Sequence, residues 1–202
     1  MKNIRDKKAD KDVEIISHDI AYQGYFRIEK IKACYRVFEG GGWSNYIDRE
    51  IFERGRAVAV IPYDPKLRKV VLIEQFRIGA MEDEVSPWLL EIVAGIIEPG
   101  ETPEDVARRE AKEEAGVNIM ELIPITRYWV SPGGSTEHVD LFCGKVDASS
   151  AGGICGLDEE EEDIKVHVFD LEEAYALVQN GVINNSPAII GIQWLMLNSD
   201  LG

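Results

Sequence analysis

The sequence predicts an α/β protein, an α/β/α sandwich around a mixed sheet, preceded by a small antiparallel β domain. Three observations carry this reading. Short runs rich in Val, Ile and Leu recur between turn residues, and only a few stretches carry helical periodicity. Strands and helices do not alternate in the regular order that builds a fully parallel sheet. The division is expected at residues 1–54 for the β domain and 55–202 for the larger one.

Residues 1 to about 12 are charged and are expected to fray. Stretches from Asp12 to Ile16, Tyr25 to Cys34, Tyr35 to Phe38 and Ser44 to Phe52 alternate or cluster β-formers, with Gly40-Gly41-Gly42 as a turn. A sheet this small buries little alone and should pack on something. Ala57 to Tyr63 and Val70 to Gln75 read as strands joined at Asp64-Pro65. Leu89 to Ala94 reads as one strand, followed by a helix and by strands at Leu122 to Val130 and Val139 to Val146. Leu171 to Gln179 is helical and stops near Gly181. A final helix starts at Ser186-Pro187 and runs to Leu197, with Ile189, Ile190, Ile192, Trp194 and Leu195 on its buried side. There are no internal repeats.

The formal net charge is −15, with 37 Asp and Glu against 22 Lys and Arg. No basic stripe is present to release counterions from a phosphate backbone, which argues against a nucleic-acid partner. An anionic nucleotide remains acceptable where cations reverse the local field. No apolar stretch approaches the roughly 20 residues that cross a bilayer. The N-terminal basic residues lack the apolar segment of a secretory signal. Cys34, Cys143 and Cys155 are scattered without paired spacing, which suits free thiols in the cytoplasm better than disulfides or a zinc site. His167 lies in an alternating run and reads as a strand residue.

The most informative segment is residues 95–117, GIIEPGETPEDVARREAKEEAGV. Thr102 is placed to cap a helix, Pro103 suits its first position, and Glu104 and Asp105 favour its dipole. Val106, Ala107, Ala111 and Ala115 form a slim apolar face, and Gly116 ends the helix. Glu110, Glu113 and Glu114 then share one face. Like charges at that spacing repel by roughly 0.2–0.5 kcal/mol per pair, so the face points to a hard divalent cation, Mg2+ or Mn2+, as its partner. Arg109 is placed to tie down a loop carboxylate such as Glu101.

This segment resembles the Nudix box, G-x5-E-x7-R-E-U-x-E-E-x-G-U with U aliphatic, and Gly95, Glu101, Arg109, Glu110, Ala111, Glu113, Glu114, Gly116 and Val117 fill its positions. The resemblance implies a Mg2+-dependent hydrolase of nucleoside diphosphates linked to another moiety. It makes Glu110, Glu114 and the carbonyl of Ala94 metal ligands for two or three ions. Glu113 would bind a further ion or act through water. Ser131-Pro132-Gly133-Gly134-Ser135-Thr136-Glu137 is similar to the loop of the family's ADP-ribose pyrophosphatase branch. In that loop Gly133 lets backbone amides approach a ligand, and Glu137 would accept ribose hydroxyls. Further matches to that branch run through residues 49–55, 71–77, 88–91 and 163–166.

The acidic run Asp158 to Asp163, flanked by glycines, would on its own be a solvated loop. By resemblance it carries the general base, at Glu160 or at one of the adjacent glutamates between 159 and 162, with Glu162 as an accessory metal or water contact. Resemblance also assigns Phe26, Arg49 and Glu50 to adenosine and Arg77 to the diphosphate. It further implies a homodimer with exchanged N-terminal domains. The function so implied is hydrolysis of ADP-ribose to AMP and ribose 5-phosphate. A nucleotide-sugar pyrophosphatase and a non-catalytic ADP-ribose sensor are the alternatives.

Overall fold

A computed structural model describes residues 8–157 and 161–198. The chain divides into two compact units: the described part of Met1–Gly55 with Ser131–Glu137, and Arg56–Val130 with the described part of His138–Gly202.

In the first unit a single helical turn, α1 (Ala9–Asp12), leads into an antiparallel sheet of β1 (Val13–Gln23), β2 (Arg27–Tyr35) and β3 (Ile47–Glu53), in that order. Three of the stretches expected from sequence are strands, and β1 runs longer than its apolar start suggests. The expected stretch Tyr35 to Phe38 is not a strand of its own, because past Tyr35 the chain turns and keeps only an isolated bridge between Arg36 and Trp43. Every residue of β1 is exposed, among them Val13, Ile15, Ile16, Ile20 and Tyr22. Residues 131–137 run beside β3: the Phe52 N–H donates to the Gly134 carbonyl at 2.8 Å, and the Thr136 N–H donates to the Phe52 carbonyl at 3.1 Å.

The second unit holds an eight-stranded mixed sheet. Its strands are β4 (Arg56–Asp64), β5 (Lys69–Phe76), β6 (Trp88–Glu91), β7 (Val93–Ile96), β8 (Glu121–Trp129), β9 (His138–Lys145), β10 (Gly153–Cys155) and β11 (Ile164–Asp170). The main path is β10-β11-β5-β4-β9-β8, with β4 and β9 parallel and the other pairs antiparallel.

Strands β4 and β5 pair only at Tyr63–Asp64 and Val70–Lys69, and then other partners take their edges. Along the diverging stretch β6 pairs with β5 and β7 pairs with β4. The continuous strand expected over Leu89–Ala94 is therefore two strands with different neighbours. Apolar periodicity cannot reveal that change of partner, because the residues are apolar on both sides of it. Ile92, at the switch, is 2% exposed.

One face of the sheet packs on α2 (Pro103–Ala115), through Val106, Ala107, Ala111 and Ala115 against Val58, Val60, Val71, Ile73 and Val93. The other face packs on α3 (Leu171–Gln179) and α4 (Ser186–Leu197), through Leu171, Ala174, Ala188, Ile192 and Leu195. This is the sandwich the sequence predicts. Asn185 caps α4, its side chain accepting from the Ala188 N–H. Cys34 and Cys143 are buried and Cys155 half-buried, all with free thiols, and burial pushes the Cys143 thiol up to about 12. His167 sits on β11, with Nε2 2.7 Å from Glu74 Oε2. No helix among the described residues is long and apolar enough to cross a membrane.

Candidate active site

Helix α2 carries the site, and its ends explain its position. The Thr102 hydroxyl accepts the Asp105 N–H at 3.2 Å, Pro103 occupies the first turn, and Gly116 closes the helix at φ +67°. The loop entering the helix is tied by the Glu98 N–H donating to Glu101 Oε2 at 2.9 Å. With the alanine face on the sheet, Glu110 and Glu114 point toward β7.

Glu114 is 3% exposed, and its Oε2 accepts the Ala94 N–H at 3.0 Å. N–H and C=O groups of one strand residue face the same edge, so the Ala94 carbonyl opens toward Glu114 as well. Burial drives the Glu114 carboxyl up to about 8, against the Ala94 hydrogen bond, and nearby Glu110 and Glu162 add to the rise. Glu110 is pushed to about 7, again mainly by burial, with Arg109 opposing and Glu113 and Glu162 reinforcing. Gly95 makes room for Glu110: a Cβ there would lie 2.5 Å from Glu110 Cδ and 2.6 Å from Cγ.

Arg109 reaches Glu110 and Glu113 at 2.9 Å each, and Glu101 only at 3.8 Å. It thus holds the helix carboxylates themselves more closely than the loop carboxylate expected from sequence. Arg77 reaches Glu91 Oε2 through Nε at 2.9 Å and through a terminal nitrogen at 2.8 Å, and Gln75 donates to the same oxygen at 3.3 Å. Sequence reading gave Glu91 no role, although an acidic residue ending the apolar run Trp88-Leu89-Leu90 was the available signal. Gln75, Phe76, Arg77, Trp88, Glu161, Glu162 and Asp163 line a cavity of about 380 Å³. A larger one, about 530 Å³ and bordered by Asp83, Val85, Asn180 and Asn184, contains none of the expected site residues. Glu160 lies outside the described residues.

Among the described residues no three His, Cys, Asp or Glu side chains converge as a ready-made metal cage. The residues nevertheless fit a divalent cation. Two carboxyls that burial resists ionising, one of them seated against Gly95 and the other bonded to Ala94, form with the Ala94 carbonyl an oxygen-only donor set. A cation beside them would favour their charged forms and remove the repulsion between them.

The adenosine candidates lie in the first unit. Phe26 packs edge-on against Phe52 at 4.9 Å between ring centroids, and the Arg54 guanidinium lies 4.7 Å over its ring. Arg54 also reaches Glu137 at 3.4 Å, so Glu137 is held from within its own unit. Arg49 donates to the Asp48 carbonyl at 2.8 Å, and it and Glu50 are exposed on β3. Gly133 sits in a turn closed by the Gly134 and Ser135 N–H groups, which both donate to the Ser131 carbonyl. Arg54 was not anticipated. Its position two residues after Phe52, on the same side of an extended chain, was the usable clue.

The NUDIX domain model matches residues 53–189. The chain belongs to the Nudix family. It is 49% identical to an ADP-ribose pyrophosphatase of Haemophilus influenzae over 93% of this chain and 88% of that protein. Identity to an ADP-ribose pyrophosphatase of Escherichia coli K12 is 48%, covering 93% and 89%. A GDP-mannose pyrophosphatase of Cronobacter sakazakii is 32% identical, covering 92% and 96%. In fold the chain is similar to the crystal structure of an ADP compounds hydrolase, with a TM-score of 0.69 and 18% identity over 95% of this chain and 98% of the other.

Proposed function

We propose that this Nudix protein hydrolyses the pyrophosphate bond of ADP-ribose, giving AMP and ribose 5-phosphate, with Mg2+ as its cofactor and Mn2+ as a substitute. The observation that carries the substrate is the gap in similarity. Identity is 48–49% to ADP-ribose pyrophosphatases and 32% to the GDP-mannose pyrophosphatase, over nearly the same span of the chain.

Glu110, Glu114 and the Ala94 carbonyl would hold the ions, two or three in number, with Glu113 contributing from the same helix face. When bound, the ions screen the diphosphate, acidify a water and stabilise the departing phosphate. Arg77, braced by Glu91, offsets diphosphate charge. Glu160 takes the proton from the attacking water, and Glu162 assists by a water or ligand contact. The water oxygen bonds to one phosphorus as the bridging P–O bond breaks, leaving two monophosphates. Phe26, Arg49 and Glu50 bind adenosine, while Gly133 and Glu137 border the ribose. Residues 1–54 form the dimerisation and adenosine domain and 55–202 the catalytic domain. Strand β1, exposed at every residue and rich in apolar side chains, supports a homodimer that exchanges N-terminal domains. The setting is cytoplasmic.

The 32% relative supports a second reading, hydrolysis of nucleotide sugars such as GDP-mannose. Incubating the purified chain with Mg2+ and a panel of ADP-ribose, ADP-glucose and GDP-mannose, with products identified by chromatography, separates the two. AMP released from ADP-ribose with the highest kcat/KM is expected. Preference for the guanine substrate, or no release from any, overturns the proposal.

A further inference from the structure

We infer that Gly156 is a positioning residue, fastening Leu157 and Glu162 to the C-terminal end of the helix carrying Glu110, Glu113 and Glu114. The inference rests on the proposed metal-binding role of that helix. A helix leaves its last four carbonyls without intrahelical partners. In α2, the Lys112 carbonyl accepts the Gly116 N–H at 3.2 Å, and the next one, that of Glu113, accepts the Gly156 N–H at 3.2 Å. The chain after β10 therefore adds to the capping of the helix that presents the carboxylates. Cys155 reinforces the contact, since a Cβ on Gly116 would lie 3.5 Å from its Sγ.

Only glycine suits position 156. Its φ is +102°, outside the range other residues adopt readily. A Cβ there would stand 2.8 Å from both the Cβ and the carbonyl oxygen of Glu162. Those atoms belong to the backbone and its first side-chain carbon, so they cannot swing aside as a side-chain tip can. Glu162 is itself tied to the neighbouring residue: its N–H donates to the Leu157 carbonyl at 3.3 Å, and its Oε2 accepts the Leu157 N–H at 3.3 Å. Residues 156, 157 and 162 thus form one neck, docked on the Glu113 carbonyl. Glu162 also lines the cavity that Gln75 and Arg77 border. Any side chain at 156 must open the neck, moving Glu162 relative to the helix carboxylates while leaving the apolar core intact.

Gly156→Ala tests this against Gly152→Ala. Gly152 also has positive φ, at +140°, but faces open space, so it shares the backbone strain without the contact. Gly156→Ala is expected to lower kcat at least tenfold with KM for ADP-ribose within twofold. It should also weaken Mn2+ binding at least fivefold in the absence of substrate, measured by electron paramagnetic resonance. Gly152→Ala should leave both near wild type. Wild-type kcat and Mn2+ affinity in Gly156→Ala, or equal losses in Gly152→Ala, overturn the inference. Were the wild type inactive on ADP-ribose, the function would be wrong, yet the Mn2+ comparison would still decide the role of Gly156. If Gly156→Ala fails to fold, hydrogen exchange on the wild type decides instead. The Gly156 amide should be protected and gain protection when Mn2+ is added, and exchange at the rate of open loop amides overturns the inference.

Discussion

Gly95 and Glu110 occupy adjoining space so closely that a single methyl group on Gly95 would collide with the Glu110 carboxylate. The glutamate side chain is the softer partner and would yield, leaving β7 and α2 in place. Gly95→Ala should therefore keep its fold and lose activity. A displacement of about 1 Å in a reacting group can cost about 10²-fold. We expect kcat on ADP-ribose to fall by about that factor, with the melting temperature within a few degrees of wild type. Unaltered kcat would show that Glu110 has no fixed position to defend.

Glu114 separates stability from activity. It is a nearly fully buried carboxyl, held by one backbone N–H, with Glu110 and Glu162 acting against its charge and Arg77 for it. Glu114→Gln keeps the shape and the Ala94 hydrogen bond but removes the charge. Turnover should fall by more than the 10–100-fold that follows loss of an outer-shell partner of a metal ligand. The metal-free variant should melt higher than metal-free wild type at pH 8, because it no longer buries an ionised group. Paired melting curves and initial rates check both parts, and a variant that is inactive and also less stable contradicts this account.

The pH dependence follows from the same pair. Glu110 and Glu114 are raised from an ordinary value of 4.5 to about 7 and about 8. The folded state therefore binds more protons than the unfolded chain above about pH 4.5. Their stabilising contribution is complete below that value and is lost as pH rises through about 7 and about 8. Asp83, Asp147 and Glu172 are shifted downward by hydrogen bonds, so their titration lies below this window. In EDTA the melting temperature should fall between pH 5.5 and 8.5. Saturating Mg2+ should raise it far more at pH 8.5 than at pH 5.5, since ligands must be ionised to bind. An equal rise at both values would place the ion elsewhere.

The helix α2 was legible residue by residue because its signals are local: a cap, a proline, an alanine face and a stop glycine all lie within the segment they define. The shared face of Glu110, Glu113 and Glu114 follows from helical spacing alone. The partners of those residues were not legible. That Ala94 offers its N–H to Glu114 depends on β7 leaving β6 for the edge of β4, and that change of neighbour has no mark in the run Leu89–Ala94. Likewise the Gly156 N–H meets the Glu113 carbonyl only because β10 pairs with β11. The glycines at 152, 153 and 156 read in sequence only as the flank of an acidic loop, and three residues of strand among them went unforeseen. Contacts set by pairing between distant strands stay hidden until the pairing is known.

Phe26 provides the last test, because its ring already carries a cation. The Arg54 guanidinium lies over one face at 4.7 Å while the Phe52 ring packs edge-on at 4.9 Å. A flat, electron-rich face next to a fixed guanidinium suits a purine, which can stack on either plane. Stacking of a base on an aromatic ring is worth about 1–3 kcal/mol, or roughly 5–150-fold in affinity. Phe26→Ala should therefore raise KM for ADP-ribose within that range and leave kcat within about twofold, since the reacting phosphates are remote from the base. Ribose 5-phosphate, which lacks adenine, should inhibit wild type and variant equally, whereas AMP should inhibit the variant more weakly. Equal weakening of both inhibitors would mean that Phe26 supports the fold of the β domain and not the nucleobase.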